Sequence, residues 1–255
     1  MNKLSLPGVT VCAAASVNLP ATLAALQACL DQIDFAECLL FTDKPDLSVP
    51  PQVRVVPIPR LRSAADYSAL ILRDLAEHVR TDHCLVVQWD GFVLDSAQWD
   101  PSFLEFDYIG ARWPQFDDGH DVGNGGFSLR SRKLLEACRD SAFQPSHPED
   151  IAIGRLNRSS LEQRHNIRFA SGAVADLFAF ERSVGAGPTF GFHGIFNMIP
   201  ALGADRFWEI YRSLDEPGSA FVDYRLLVTQ LSHGQHAWRR RLKMTFDWLK
   251  GARPA

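Results

Sequence analysis

Several features that mark a compartment or a partner are missing from the sequence. No uninterrupted apolar run approaches the roughly 20 residues that span a bilayer. No apolar h-region precedes Pro7, so we expect neither a transmembrane segment nor a secretion signal. The formal net charge of −4 leaves no general basic field, so nucleic acid is not an expected partner.

The signatures of several enzyme classes are missing as well. The sequence has no GxSxG elbow, no HExxH pair and no P-loop lysine, which argues against a serine hydrolase, a zinc protease and a P-loop kinase. The run Gly123-Asn124-Gly125-Gly126 is not a dinucleotide fingerprint, because Ser128 stands where its last glycine should be. The function must therefore be sought in other residues.

The cysteines form no disulfide or metal motif. There are five, an odd number without a CxxC pair, and most of them lie among apolar neighbours. Buried free thiols in a reducing compartment fit this pattern best, so we expect a cytoplasmic protein.

Basic residues cluster at one place, in the run Arg239-Arg240-Arg241-Lys243. A short basic cluster is most often the solvated face of a helix. A peripheral contact with a phosphate or with an acidic membrane surface is the alternative.

What the sequence does contain is the pattern of an α/β domain. With 255 residues, 46% of them hydrophobic, the chain can bury a sizeable core, and we expect one domain with a helical tail. Short apolar runs alternate with segments of helical spacing, which predicts a mostly parallel sheet covered on both faces. Two prolines place the third predicted strand at an edge. The predicted strands are 9–14, 38–41, 53–59, 84–87 and 167–170, and the predicted helices are 21–32, 64–79, 131–138, one starting at Pro148, and several after 199.

Polar residues follow three of these strands. Ser16 and Asn18 come after the first, Asp43 after the second and Asp90 after the fourth. Open α/β sheets bind ligands beyond the carboxyl ends of their strands, so we expect these side chains to converge at one edge.

Two further stretches suggest a ligand site. Three glycines among residues 123–126 let backbone approach a ligand closely, and His193 lies between Gly191 and Gly194, which predicts a tight loop. Trp113 precedes a polar, acidic loop, where its ring could stack on a sugar.

A carboxylate such as Asp90 and an imidazole such as His193 suit a divalent ion such as Mn²⁺. Such an ion would stabilise charge on a leaving diphosphate. Glu149 or Asp150 could deprotonate an acceptor hydroxyl, although either could equally be a plain helix cap. Taken alone, His193 would more often be structural, and Asp90 a loop cap about as often as a ligand.

Several of these motifs, in this order, resemble the DUF5672 family, a group of glycosyltransferase-like proteins similar to the GT-A fold. The resemblance runs from about residue 67 to residue 194. It rests on Gln88-Trp89-Asp90-Gly91-Phe92, Trp99-Asp100-Pro101, Asp107-Tyr108-Ile109-Gly110-Ala111, the run 123–131, Pro148-Glu149-Asp150 and Phe190-Gly191-Phe192-His193-Gly194.

The resemblance implies a GT-A-like nucleotide-diphospho-sugar transferase fold, with a mixed, mostly parallel central sheet flanked by helices and with C-terminal helices. It implies a single domain made of a nucleotide-binding half (8–113), an acceptor or catalytic half (114–200) and a helical tail (201–255). The implied activity is hexosyltransferase-like, from a nucleotide-sugar donor, usually UDP-linked, to a carbohydrate or other hydroxyl acceptor, with Mn²⁺ or Mg²⁺.

The resemblance also assigns roles to residues. Such enzymes hold the metal with a DxD motif after the fourth strand, and here Gln88 replaces its first aspartate, which leaves Asp90 with His193 as metal ligands. Glu149 and Asp150 resemble the acidic pair that positions or deprotonates the acceptor in inverting members. The expected substrate-binding residues are Ser16, Asn18, Asp43, Gln88, Trp89, Trp113, Asn124, Gly125 and Gly126.

Two other functions remain open at this stage. The missing first aspartate suits a nucleotide-sugar or carbohydrate-binding protein that has lost catalysis. The same carboxylates could also serve a metal-dependent phosphohydrolase.

Overall fold

The computed structural model of the chain describes residues 3–183, 187–232, 234 and 236–251. A six-stranded sheet forms its centre, with the strand order β3-β2-β1-β4-β6-β5. The strands are β1 (Leu4–Ala14), β2 (Ile33–Thr42), β3 (Val53–Pro57), β4 (His83–Val87), β5 (Tyr108–Ile109) and β6 (Phe127–Ser131). The first four pair in parallel, whereas β6 runs antiparallel to both β4 and β5.

Helices pack on both faces of this sheet. They are α1 (Leu19–Leu30), α2 (Ala64–Ala69), α3 (Leu75–His78), α4 (Arg132–Ala137), α5 (Glu149–Ile151), α6 (Arg158–His165), α7 (Gly172–Phe178), α8 (Ile195–Leu202), α9 (Ala204–Arg212), α10 (Tyr224–Gln230) and α11 (Ala237–Gly251). Two short strands, β7 (Ala179–Phe180) and β8 (Gly191–Phe192), form a separate parallel pair. The predicted fold class, a mixed and mostly parallel sheet flanked by helices with helices at its C-terminal end, is confirmed.

The alternation of side chains along the central strands divides the core into layers. Val11 and Leu85 belong to the cluster that includes α1 and the C-terminal helices, whereas Cys12 and Val86 belong to the cluster formed with the helical stretch 64–78. Strands buried on both faces read as continuous apolar runs, which is the pattern of a parallel sheet. All five cysteines are free and buried, as predicted.

Most predicted elements lie where the sequence placed them. The edge position of β3 is confirmed, and so is the N-cap of α4, where Ser131 Oγ accepts from the Leu134 amide at 3.0 Å. The predicted helix over 64–79 is broken by a wider, π-type turn at Leu70–Asp74. The strand predicted at 167–170 is wrong: Phe169 makes one isolated bridge to Tyr108, because the two-residue strand β5 offers it too short an edge.

None of the described helices is long and apolar enough to cross a membrane.

Asn18 joins the first β-α connection to the C-terminal part of the chain. Its backbone is left-handed, with φ 55°. Its side-chain amide donates to the Glu216 carbonyl at 3.0 Å, and its Oδ1 accepts from the Glu216 amide at 2.9 Å. Asn18 is buried and Glu216 is exposed, so both bonds lie at the edge of the interior. The side chain predicted to contact substrate is therefore engaged within the protein.

We predict that Asn18→Ala lowers the free energy of unfolding more than Asn166→Ala does. Asn166 is a matched control, because it is also left-handed, with φ 52°, but is exposed. Both variants lose about 1 kcal/mol to the left-handed backbone, and Asn18→Ala loses about 1–3 kcal/mol more with its two side-chain hydrogen bonds to Glu216. Urea unfolding followed by circular dichroism measures the difference. Equal losses of unfolding free energy in the two variants would contradict a stabilising role for the hydrogen bonds between Asn18 and Glu216.

Candidate active site

A cavity of about 1070 Å³ lies beyond the carboxyl end of the sheet. The loop after β1, the connection from β3 to α2, the end of β4 and a segment of the C-terminal part surround it. The lining residues include Ser16, Asn18, Arg60, Arg62, Tyr67, Gln88, Trp89, Glu216, Gly218 and Ser219. Its position agrees with the rule that open α/β sheets bind ligands beyond their strand ends.

The polar residues after the strands do not all reach this cavity. Ser16 lines it, and its Oγ accepts from the Leu61 amide at 2.9 Å, which fastens the loop after β3 to the loop after β1. Asp43 follows β2 at the same edge but is not among the lining residues. The Oδ1 of Asp43 is buried and finds no hydrogen-bond partner among the described residues.

Two exposed arginines at the cavity, Arg60 and Arg62, were missed by the sequence analysis. Neither makes an ion pair within the described part of the chain. They lie between Pro59 and the N-cap of α2 at Ser63, and the sequence there predicts only a loop. A guanidinium that is not neutralised by a carboxylate is well suited to bind phosphate.

The end of β4 forms a tight turn that presents polar side chains. Gln88 and Gly91 exchange backbone hydrogen bonds, each of 3.0 Å. The carbonyl of Asp90 then accepts from the Gly194 amide at 2.9 Å. This bond holds the loop after β8 beside the turn, and it brings His193 Nε2 to 3.8 Å from Asp90 Oδ1. Gly194 has φ 97°, so the sharp loop expected around His193 is present.

His193 has a second carboxylate partner that the sequence did not reveal. Its Nδ1 lies 3.2 Å from Glu181 Oε1, and its Nε2 lies 3.4 Å from Gln88 Oε1. Glu181 reaches the ring because β7 and β8 pair side by side, and the His193 amide donates to the Phe180 carbonyl at 3.0 Å. Gln88 also lines the cavity, so it joins this polar cluster to the cavity.

Burial and charge act in opposite directions on this cluster. Burial disfavours the imidazolium, but the neighbouring carboxylates of Asp90 and Glu181 outweigh it and raise the pKa of His193. Burial also raises the pKa of Asp90, and the adjacent His193 opposes that shift.

The chemistry of these donors fits a divalent ion that takes its other ligands from a substrate. Asp90 Oδ1 and His193 Nε2 are close enough to share one ion, and carboxylate oxygen with imidazole nitrogen suits Mn²⁺. Glu181 at Nδ1 can orient the imidazole, as carboxylates hydrogen-bonded to metal-binding histidines do. No group of three or more His, Cys, Asp or Glu within the described residues could hold a metal.

The glycines at 123–126 leave space for the protein's own side chains. A Cβ added at Gly123 would overlap the Trp113 ring, one at Gly125 would overlap the Glu149 carboxylate, and one at Gly126 would overlap the His193 ring. Asn124 takes the left-handed conformation with φ 70°, and its Oδ1 accepts from the Gly126 amide at 3.0 Å. Its Nδ2 is buried without a hydrogen-bond partner among the described residues.

Trp113 does not stand at a solvent-facing lip. Its ring is 5% exposed and lies against Gly123 and Gly154, with Phe116 edge-on at 5.5 Å. A buried ring has no free face for a sugar, so Trp113 is not proposed to stack on one.

Glu149 and Asp150 occupy different environments. Glu149 is buried, and its Oε1 accepts from Arg130 Nη2 at 3.1 Å, while its Oε2 accepts from the Ser68 hydroxyl at 3.2 Å. Arg130 is completely buried on β6. Asp150 is partly exposed, and its Oδ2 accepts from the Gly125 amide at 3.2 Å. Of the two acids, Asp150 is therefore the one available to a substrate.

Burial and the neighbouring Glu149 carboxylate raise the pKa of Asp150. A raised pKa makes a carboxylate a better proton acceptor when it is ionised. Gly125 and Gly126 connect the acid to the polar cluster, because one binds Asp150 and the other touches His193.

Residues 51–193, more than half of the chain, match the family model described as "Protein of unknown function (DUF5672)". The chain belongs to the DUF5672 family. The resemblance to this family that the sequence motifs indicated is thus confirmed. No match is found among curated proteins.

Solved structures with a similar fold include an active-site mutant of LgtC, with 16% identity and a TM-score of 0.47 over 91% of this chain and 99% of that one. A glycosyltransferase involved in glycosylating the major capsid of PBCV-1 has 11% identity and a TM-score of 0.44 over 80% and 98%. The mannosyltransferase PcManGT from Pyrobaculum calidifontis, in complex with GDP-Man and Mn²⁺, has 13% identity and a TM-score of 0.44 over 98% and 77%. At these identities the likeness concerns the fold alone. The chemistry of this DUF5672 protein must follow from its own side chains.

We predict that the two acids differ in what they do for stability. Glu149→Gln leaves the Arg130 charge buried without its counter-ion and is expected to cost about 3–5 kcal/mol of unfolding free energy. Asp150→Asn removes a carboxylate whose charge is disfavoured by burial, so its loss is expected to stay within about 1 kcal/mol. Urea denaturation of both variants makes the comparison, and a larger loss for Asp150→Asn would contradict these assignments.

Proposed function

We propose that this DUF5672 protein is a glycosyltransferase that moves a sugar from a nucleoside diphosphate donor, with UDP as the expected nucleotide, to a hydroxyl acceptor. The observation that carries the proposal is the position of Gln88, which lines the large cavity and lies 3.4 Å from His193 in the polar cluster. A nucleotide in the cavity would place its diphosphate next to Asp90 and His193.

The proposed donor site uses the loops of the nucleotide-binding half, residues 8–113. Ser16 and Trp89 are assigned to the base and ribose, since a hydroxyl and an aromatic ring offer the hydrogen bond and the flat surface that these groups need. Arg60 and Arg62 are assigned to the diphosphate, because guanidinium groups bind phosphate oxygens through paired hydrogen bonds. Asp43 is left without a role in the donor site, since it does not line the cavity.

Asp90 and His193 are the residues that would hold Mn²⁺ or Mg²⁺, with Gln88 beside them and Glu181 orienting the imidazole. When bound, such an ion would supply positive charge to the diphosphate as it leaves. The protein also brings positive charge of its own to the cavity through Arg60 and Arg62.

The acceptor half, residues 114–200, is proposed to supply the base. Asp150 takes the proton of the acceptor hydroxyl while that oxygen bonds to the anomeric carbon. The bond from that carbon to the diphosphate oxygen breaks, and its electron pair leaves with the nucleoside diphosphate. A single displacement of this kind inverts the configuration at the anomeric carbon. Asn124 is proposed to shape the sugar site through its turn, because its Oδ1 holds the Gly126 amide.

We predict that Asp150→Asn lowers turnover of a UDP-sugar by about 10²–10⁴-fold, the usual contribution of a general base. Binding of UDP, measured as a rise in Tm, should be retained, because ligand binding to the native state still stabilises it. Asp117→Asn, at an exposed aspartate of the loop before the glycines, is the matched control and should change neither quantity. Release of UDP in the presence and absence of candidate acceptors is the activity measured.

The pH dependence of the wild-type protein is part of the same prediction. The base must be ionised, and the pKa of Asp150 is raised. Activity should therefore fall as pH drops through a value above the ordinary carboxylate range near about 4. An acid limb that persisted unchanged in the residual activity of Asp150→Asn would assign the base to another group.

A non-catalytic nucleotide-sugar-binding protein is the second candidate, and it is favoured by Gln88 at the position of the first aspartate of a DxD motif. The two candidates differ in one result. Binding of UDP-sugar without any release of UDP, across a panel of acceptors and with Mn²⁺ present, would support the binding protein. Release of inorganic phosphate in place of UDP would instead identify a phosphohydrolase.

A further inference from the structure

The helix α11 exposes an apolar stripe. Trp238, Leu242, Phe246 and Leu249 follow one another at intervals of four, four and three residues, which places them on one face. Each of these side chains is more than half exposed. An apolar stripe of this length on a helix surface is unusual for a face turned to water.

The opposite face of α11 fixes its orientation on the protein. Met244 is buried, and Arg240 pairs with Asp205. Trp248 stacks on Tyr224 with a centroid distance of 4.6 Å, and the Tyr211 hydroxyl donates to Asp247 at 3.0 Å. These contacts hold the helix with the apolar stripe directed outward.

Basic side chains border the stripe along both of its sides. Arg241 lies on one side, and Arg239, Lys243 and Lys250 lie on the other. All four are exposed. Residues 237–251 carry five basic side chains and one acidic side chain, although the whole chain has a net charge of −4. The charge of this helix is therefore opposite to that of the rest of the protein.

The cations at the border are oriented alongside the apolar residues. The Arg239 guanidinium lies 5.2 Å from the Trp238 ring centroid, and Lys250 Nζ lies 4.3 Å from that of Phe246. Arg239, Arg241 and Lys250 make no ion pair within the described part of the chain, whereas Lys243 pairs with Asp247. Three cations thus remain for an external anionic partner.

We propose that α11 is an interfacial membrane-binding helix that lies flat on an anionic lipid surface. The apolar stripe would enter the boundary between headgroups and acyl chains, and the cations on both sides would contact lipid phosphates, which is the arrangement of peripheral amphipathic helices. Tryptophan near one end suits the headgroup level, where its ring is amphipathic. Charge on both sides of a narrow stripe matches a flat anionic surface better than it matches an apolar groove.

One turn links the large cavity to the buried side of α11. The turn Pro217–Phe221 connects them, because Gly218 and Ser219 line the cavity while Phe221 lies against Gly251 at the end of α11. The membrane proposal does not depend on the glycosyltransferase proposal, since it is tested without substrate.

The test is co-sedimentation of the full chain with sonicated vesicles. Vesicles of phosphatidylcholine alone are compared with vesicles that contain phosphatidylglycerol as well, at low and at high salt. We expect the protein to pellet with the anionic vesicles, with weaker binding at high salt because exposed charges are screened. Protein that stays in the supernatant with every vesicle would overturn the proposal.

Two sets of variants separate the stripe from the charges. Leu242→Glu with Phe246→Glu should lower the partition coefficient about tenfold or more for each apolar side chain lost from lipid. Arg239→Gln, Arg241→Gln and Lys250→Gln together should lower it about fivefold for each charge, and only on anionic vesicles. Leu177→Glu, at an exposed leucine of α7, is the matched control and should bind like the wild type.

Circular dichroism and Tm confirm that each variant is folded, so that a loss of binding is attributed to the surface. Equal binding of Leu242→Glu/Phe246→Glu and wild type would overturn the proposal. Sedimentation velocity tests the alternative, that a second copy of the chain packs on the stripe. A dimer in solution that dissociates in Leu242→Glu/Phe246→Glu, without vesicle binding by the wild type, would assign the stripe to self-association and overturn the membrane proposal.

Discussion

The site depends on how the turn after β4 is fastened to the loop after β8. The bond from the Gly194 amide to the Asp90 carbonyl, at 2.9 Å, and the bridge between Val93 and Gly191 hold two segments that are far apart in sequence. A tight turn with φ 97° at Gly194 follows directly, and contacts with Glu181 and Gln88 orient the His193 ring beside Asp90. Backbone hydrogen bonds therefore bring the two segments of the proposed metal-binding pair together.

Next to this turn, the same few residues determine both the packing space and the distribution of charge. Gly125 and Gly126 lack side chains where Glu149 and His193 come closest to the backbone. The Glu149 carboxylate neutralises the buried Arg130, while burial, together with the charge of Glu149, raises the pKa of the neighbouring Asp150. Glu149 thus balances a buried charge, and Asp150 is left as the better proton acceptor of the two. Removing one partner of such a buried pair is costly even where forming the pair contributes little net stability.

Much of the framework could be predicted from the sequence, because short-range patterns determine it. The alternation of strands and helices, the edge position of β3, the Ser131 cap and the tight loop at His193 all follow from local residue types. The partners of the site residues could not be predicted in this way. Glu181 meets His193 only because β7 and β8 pair. The glycines at 123–126 indicated a close approach to the backbone, but not that Trp113, Glu149 and His193 make it. The strand expected at 167–170 failed for a related reason, since a strand needs a partner edge of sufficient length and β5 has two residues.

The most direct measurement of the central claim is the structure of the protein bound to UDP and Mn²⁺. The account predicts uridine in the cavity between the loop after β1 and Trp89, with the diphosphate and the ion in contact with Asp90 and His193. Asp150 should lie on the side of the site away from the nucleotide, where an acceptor hydroxyl can reach it. A nucleotide bound elsewhere, or a diphosphate with no contact to Asp90 or His193, would contradict it.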